Sequence, residues 1–220
     1  MSILHSGEAA TQDHREAVVL VHGLWMHGLV FGLQRRRLAR LGYRALSFSY
    51  PSVRAGLAGN ARALSGFVAA IDAPVVHLVG HSLGGLVILR MLADRPDKRI
   101  GRVVLLGSPF GGSHCARVLQ GIPLLRALVG RSLGDWLAQP CLPAPAGLEI
   151  GVLAGDSGVG VGRLIPGLAR PNDGVVSLAE SRLDTASDSI VLPVGHSQML
   201  VSAACLEQVA AFLRTGRFER

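Results

Sequence analysis

Short, continuously apolar runs alternate with longer amphipathic stretches along the 220 residues of the chain, and that alternation sets the expected elements. Residues 18–21, Val-Val-Leu-Val, read as a strand covered on both faces, and they lead into His22-Gly23-Leu24-Trp25. In 31–41, Leu38 and Leu41 lie among arginines and Gly42 follows, which predicts a surface helix. Residues 44–50 predict the next strand, ended by Pro51. Leu57, Ala61, Leu64, Val68 and Ile71 then recur at the spacing of one helix face packed on a sheet. Further strands are expected over 75–80, 103–106, 148–154 and 190–194, with a helix over 86–93. Val201, Cys205, Val209, Phe212 and Leu213 predict a closing amphipathic helix.

Six strand signals separated by helix-length connections predict an α/β fold: a mainly parallel sheet with helices on both faces, one domain across 1–220. The stretch 114–147 has no strand signal. It carries Leu124, Leu125, Leu128 and Val129 in helical register ahead of Pro140, Pro143 and Pro145, and is expected to form a short cap.

Composition narrows the possibilities. Hydrophobic residues make up 49% of the chain, but no run reaches the roughly 18 apolar residues a membrane span requires. The first sixteen residues include Glu8, Asp13 and Glu16 and lack an apolar core, so a cytoplasmic protein is expected rather than a secreted one. Cys115, Cys141 and Cys205 are widely spaced, odd in number and outside any C-x-x-C pattern; neither a disulfide framework nor a metal site is expected. The net charge of +7 rests on arginine, with Lys98 the only lysine. Arg35, Arg36, Arg37 and Arg40 read as a solvated helix face, because no aromatic platform accompanies them as nucleic-acid binding would require. In Gly158-Val159-Gly160-Val161-Gly162, Arg163 stands where the third glycine of a dinucleotide loop belongs, so no nucleotide cofactor is expected.

The chemistry concentrates at Gly80-His81-Ser82-Leu83-Gly84-Gly85, which joins the 75–80 strand directly to a helical run. A serine at the tip of so sharp a turn is held in a strained backbone conformation, and the flanking glycines let strand and helix approach closely. Ser82 is the expected nucleophile. The segment resembles the nucleophile elbow of the α/β-hydrolase superfamily, in the form common among its serine lipases and carboxylesterases. The resemblance extends from Val18 to about Leu213 and implies an α/β-hydrolase fold and a serine carboxylic-ester hydrolase, an esterase or lipase, acting on a small ester or lipid without a cofactor.

A serine hydroxyl needs a base and a third group to orient that base. His196 ends the last strand signal and comes last in the order serine, acid, histidine of this fold, so it is the expected base. The residues alone leave Asp156, Asp173, Glu180, Asp184 and Asp188 as possible acids. Asn172-Asp173-Gly174-Val175-Val176-Ser177, 23 residues before His196, resembles the acid segment of bacterial triacylglycerol lipases, which favours Asp173 over the runner-up Asp156. The oxyanion donors are expected at the amides of Leu83 and, by resemblance of His22-Gly23 to the superfamily's oxyanion segment, Leu24. Ser108-Pro109-Phe110-Gly111-Gly112-Ser113 resembles a segment that shapes the acyl pocket in many lipases. Trp25 and Phe110 are the expected substrate contacts. The same machinery would also serve an acyltransferase or a thioesterase, and a scaffold that has lost catalysis is a further alternative.

Overall fold

A computed structural model of the chain describes residues 15–139, 147–160 and 165–220. The acidic N-terminal residues Glu8 and Asp13, the prolines of the expected cap's end with Cys141, and Gly162 with Arg163 lie outside them.

Six strands, β1 (Ala17–Val21), β2 (Arg44–Phe48), β3 (Val76–His81), β4 (Ile100–Leu106), β5 (Ile150–Gly155) and β6 (Asp188–Leu192), form one sheet in the order β2-β1-β3-β4-β5-β6. Each adjacent pair runs parallel. Register aligns Val21 with Phe48 and Gly80, Leu106 with Leu153, and Gly155 with Leu192. All six carboxyl ends therefore share one edge.

Period-two alternation in β1 explains the layers. Ala17, Val19 and Val21 face one core with Leu64 and Val68 of α2 (Leu57–Ala69), Leu86 of α3 (Leu83–Asp94) and Trp136 of α5 (Arg126–Ala138). Val18 and Leu20 face the other core with Leu38 of α1 (Gly32–Arg40) and Val209, Phe212 and Leu213 of α6 (Ala203–Thr215). Both faces are covered, so the strands carry apolar side chains on each side.

The expected helix over 31–41 is preceded by a 3-10 turn, Gly28–Phe31. The 114–139 stretch forms α4 (His114–Gly121) and α5, and the four residues expected in helical register are divided. Leu124 and Leu125 precede α5, beyond Pro123, whereas Leu128 and Val129 lie inside it. Helix α5 breaks at Gly130, φ 69°, where the Val53 backbone lies too close for any Cβ. The rest of α5 is fastened to α2 and to the loop after β4. Asp135 accepts from the Leu57 amide at 2.9 Å, Asn60 donates to Ser132 at 2.7 Å, and Trp136 donates to the Pro109 carbonyl at 3.2 Å.

The amino edge of the sheet is polar, tied by ion pairs and by a hydrogen bond from neutral His77, whose Nδ1 accepts from the Arg102 amide at 2.8 Å. Glu16 meets His77 at 3.0 Å, Asp97 meets Arg99 at 2.8 Å, Glu149 meets Arg102 at 2.8 Å, and Asp188 meets Arg220 at 2.6 Å. Among the described residues, no helix is long and apolar enough to cross a membrane.

Candidate active site

Strand β3 passes into α3 through a single residue, Ser82, whose φ of 54° and ψ of −123° lie outside the basins a side-chain-bearing residue prefers. The glycines around it allow the turn. A Cβ on Gly84 would stand 2.1 Å from the Val21 carbonyl oxygen, and one on Gly80 would stand 2.7 Å from the Gly85 amide nitrogen. Helix α3 therefore starts against β1 and β3 and presents its first amide, that of Leu83, at the carboxyl edge, where first-turn N–H groups lack helical partners.

Asp173 and His196 meet at that edge. His196 Nδ1 lies 2.7 Å from Asp173 Oδ2, and the His196 amide donates to the Asp173 carbonyl at 2.8 Å. Asp173 is 1% exposed, and its Oδ1 accepts from the amides of Val175 and Val176 at 2.9 and 2.7 Å. The carboxylate is held on both oxygens. With Nδ1–H given to the acid, the lone pair of His196 sits on Nε2.

Ser82 and His196 line one cleft of about 220 Å³. Its wall is mostly apolar, with Leu24, Leu83, Leu119, Leu133, Val175 and Val176 among the contributors. Leu24 and Leu83, expected to supply the oxyanion amides, border it beside Ser82. Trp25 also borders it and is 57% exposed.

Two further histidines support this edge as neutral rings. His81 donates Nε2–H to the His196 carbonyl at 3.0 Å, and the two rings lie 4.7 Å apart. Complete burial depresses the His81 pKa to about 3, and the neighbouring His196 adds to the effect. Burial also lowers the pKa of His22, against a backbone hydrogen bond to Gly23 that raises it.

The family model described as the alpha/beta hydrolase family matches residues 18–189. The chain belongs to the alpha/beta hydrolase family. Among curated relatives, the segment resembling the 2-hydroxy-6-oxo-6-phenylhexa-2,4-dienoate hydrolase of Comamonas testosteroni is 37% identical over 82 residues, 36% of this chain and 28% of that protein. A 2-hydroxy-6-oxononadienedioate/2-hydroxy-6-oxononatrienedioate hydrolase of Paraburkholderia xenovorans is 32% identical over 142 residues, 57% of this chain and 47% of that one. The chain thus spans less than half the length of these two relatives. Among solved structures, the mature lipase BlEst2 of Bacillus licheniformis superposes with a TM-score of 0.72 at 19% identity, covering 92% of each chain. A metagenomic carboxyl esterase superposes with a TM-score of 0.65 at 24% identity, covering 83% of this chain and 65% of its own. Both likenesses are likenesses of fold.

In this alpha/beta hydrolase one expected substrate contact is misplaced: Phe110 is 7% exposed and packs in the core with Leu105 and Trp136 rather than on the cleft wall. The turn that brings Pro109 to the cleft sends the next side chain inward, and the Gly111 amide is tied to the Glu180 carbonyl at 2.8 Å. Pro109 and Ser113 take the wall positions from this segment. Asp156 is exposed and lines a different hollow, with Arg170 and Asn172. Cys115 and Cys205 are buried free thiols, pushed up to about 11 chiefly by desolvation.

Two contributors escape sequence reading. One is His81, whose place beside the serine suggests a side chain turned away from the site. The other is Gly107 at the end of β4, where φ is 54° and a Cβ would stand 3.0 Å from Asp173 Oδ2 and 3.1 Å from His196 Nδ1. A glycine directly after an apolar strand was the available signal for the second.

Proposed function

We propose that this hydrolase is a serine carboxylic-ester hydrolase that forms an acyl-enzyme on Ser82. The observation that carries the reading is the buried Asp173–His196 pair, bonded at 2.7 Å, whose histidine lines the same cleft as a serine with φ of 54°. In this reading His196 Nε2 takes the Ser82 proton as Oγ attacks the ester carbonyl. The imidazolium that forms is stabilised by the Asp173 carboxylate. The tetrahedral oxyanion meets the amides of Leu24 and Leu83, and the alcohol leaves with the proton held on His196. Water then repeats the sequence on the acyl-enzyme and frees the acid. The apolar wall suits an uncharged acyl group.

The protein should hydrolyse nitrophenyl esters of short acyl chains, and Ser82→Ala should lower kcat by about 10³-fold or more. Unchanged turnover in that variant would remove the mechanism.

A second reading comes from the curated relatives, whose names make them hydrolases of 2-hydroxy-6-oxo dienoates and dienedioates. Those named substrates carry carboxylates, whereas among the described residues no lysine or arginine lines the cleft. That difference favours esters. Turnover of a 2-hydroxy-6-oxodienoate faster than any ester would reverse the order. Acyl transfer and thioester opening share the first half-reaction, and product analysis with competing alcohols and acyl thioesters separates them.

A further inference from the structure

The end of β2 is linked to the loop after β1 at four points. Tyr50 donates its phenol O–H to the His22 carbonyl at 2.7 Å and its amide N–H to His22 Nε2 at 3.3 Å. Ser52 Oγ accepts from the Trp25 amide at 3.2 Å, and Ser49 Oγ accepts from the Gly28 amide at 3.0 Å. The rings of Tyr50 and His22 are stacked with centroids 4.4 Å apart and planes 13° from parallel.

These contacts hold the peptides on both sides of the Gly23–Leu24 plane. Because the Tyr50 N–H points at His22 Nε2, that nitrogen must offer its lone pair, and the ring proton is confined to Nδ1. Nδ1–H then donates to the Gly23 carbonyl at 2.8 Å. The Gly23 carbonyl and the Leu24 N–H belong to the same planar trans peptide, so fixing one end aims the other in the opposite direction. On the far side of Leu24, Trp25 is held by Ser52 at a φ of 57°. Among the described residues the Leu24 amide meets no acceptor.

We propose that Tyr50, backed by Ser52, is a positioning residue: its amide selects the His22 tautomer while its phenol holds the His22 carbonyl, and together with the Ser52 bond to Trp25 these contacts aim the Leu24 N–H at the oxyanion forming on the Ser82 adduct. The inference rests on the ester-hydrolase reading above. Tyr50 is buried, and desolvation raises its phenol pKa, so it remains an O–H donor across the working pH range. A donor aimed in advance costs no reorganisation when charge develops, which makes its effect specific to the transition state.

The experiment compares wild type, Ser82→Ala, Tyr50→Phe and Ser52→Ala on one nitrophenyl ester, with the Leu24 amide resonance followed by NMR. Tyr50→Phe keeps the stacked ring and the amide bond but loses the phenol bond. It should lower kcat about 10-fold, part of the effect of losing an oxyanion donor outright, while KM stays within about twofold. Its affinity for a trifluoromethyl ketone, which forms a tetrahedral adduct on the serine, should fall by the same factor as kcat/KM. Ser52→Ala should show the same pattern more weakly. An unmoved Leu24 resonance with unchanged kcat in Tyr50→Phe overturns the proposal, as does a rise in KM alone. If Tyr50→Phe does not fold, unchanged kcat and an unmoved Leu24 resonance in Ser52→Ala overturn it. Absence of ester turnover in the wild type would instead sink the hydrolase reading, and the Leu24 resonance would still report whether Tyr50 sets that amide.

Discussion

Asp173 and Asp156 both lie between the serine and the last strand, yet their surroundings separate them sharply. The Asp173 carboxylate is buried and accepts three hydrogen bonds, two of them from backbone amides on Oδ1, so Asn at this position keeps the Oδ1 acceptor while replacing Oδ2 with a donor. The loop should hold its shape, but the imidazole would be turned to the wrong tautomer. Asp173→Asn should therefore lower kcat by about 10⁴-fold with little change in thermal midpoint. Asp156→Asn, at an exposed position, should leave kcat within about twofold. Steady-state kinetics on one ester checks both, and the larger loss in Asp156→Asn would reverse the assignment of the acid.

The turn after β4 fits closely against the candidate Asp173–His196 pair without contributing a group to it. At Gly107 an added methyl would meet Asp173 Oδ2, His196 Nδ1 and Met199 Sδ at 3.0 to 3.1 Å, and the left-handed φ disfavours any side chain. Gly107→Ala should cost about 1–2 kcal/mol in stability and also reduce kcat, because the pair must shift. Gly42→Ala, at a φ of 92° with nothing within 4 Å of the new methyl, should show the stability loss alone. Denaturant titration beside kinetics separates the two effects. Elements were largely legible from the chain because buried parallel strands are apolar on both faces, as residues 18–21 and 103–106 are. Legibility faded where local pattern and tertiary contact disagree. Leu124 and Leu125 continue a helical spacing but fall in the turn after Pro123, before α5 begins, and β6 lies two residues earlier than its apolar run because an edge strand alternates. Phe110 follows a strand end as Trp25 does, and nothing local to its sequence tells a wall residue from a core residue.

Across the whole molecule, two neutral histidines buried under the carboxyl edge link folding to pH. The pKa values of His81 and His22 are depressed in the folded state, so below about 6.5 the unfolded chain binds protons that the native protein does not. The stability they contribute is present above that pH and is lost as pH falls, down to about 3 for His81. Each such group adds a slope of up to about 1.4 kcal/mol per pH unit. Unfolding midpoints should drop between pH 6.5 and 4.5, above the carboxylate range, and His81→Gln should flatten that drop; an unaltered slope would refute it. The sheet, meanwhile, keeps its ion pairs at the edge where strands begin and the candidate site at the edge where they end. Such a division separates anchorage from invention: the loops around the cleft can be exchanged for new specificities while the charged footing beneath them carries on unchanged.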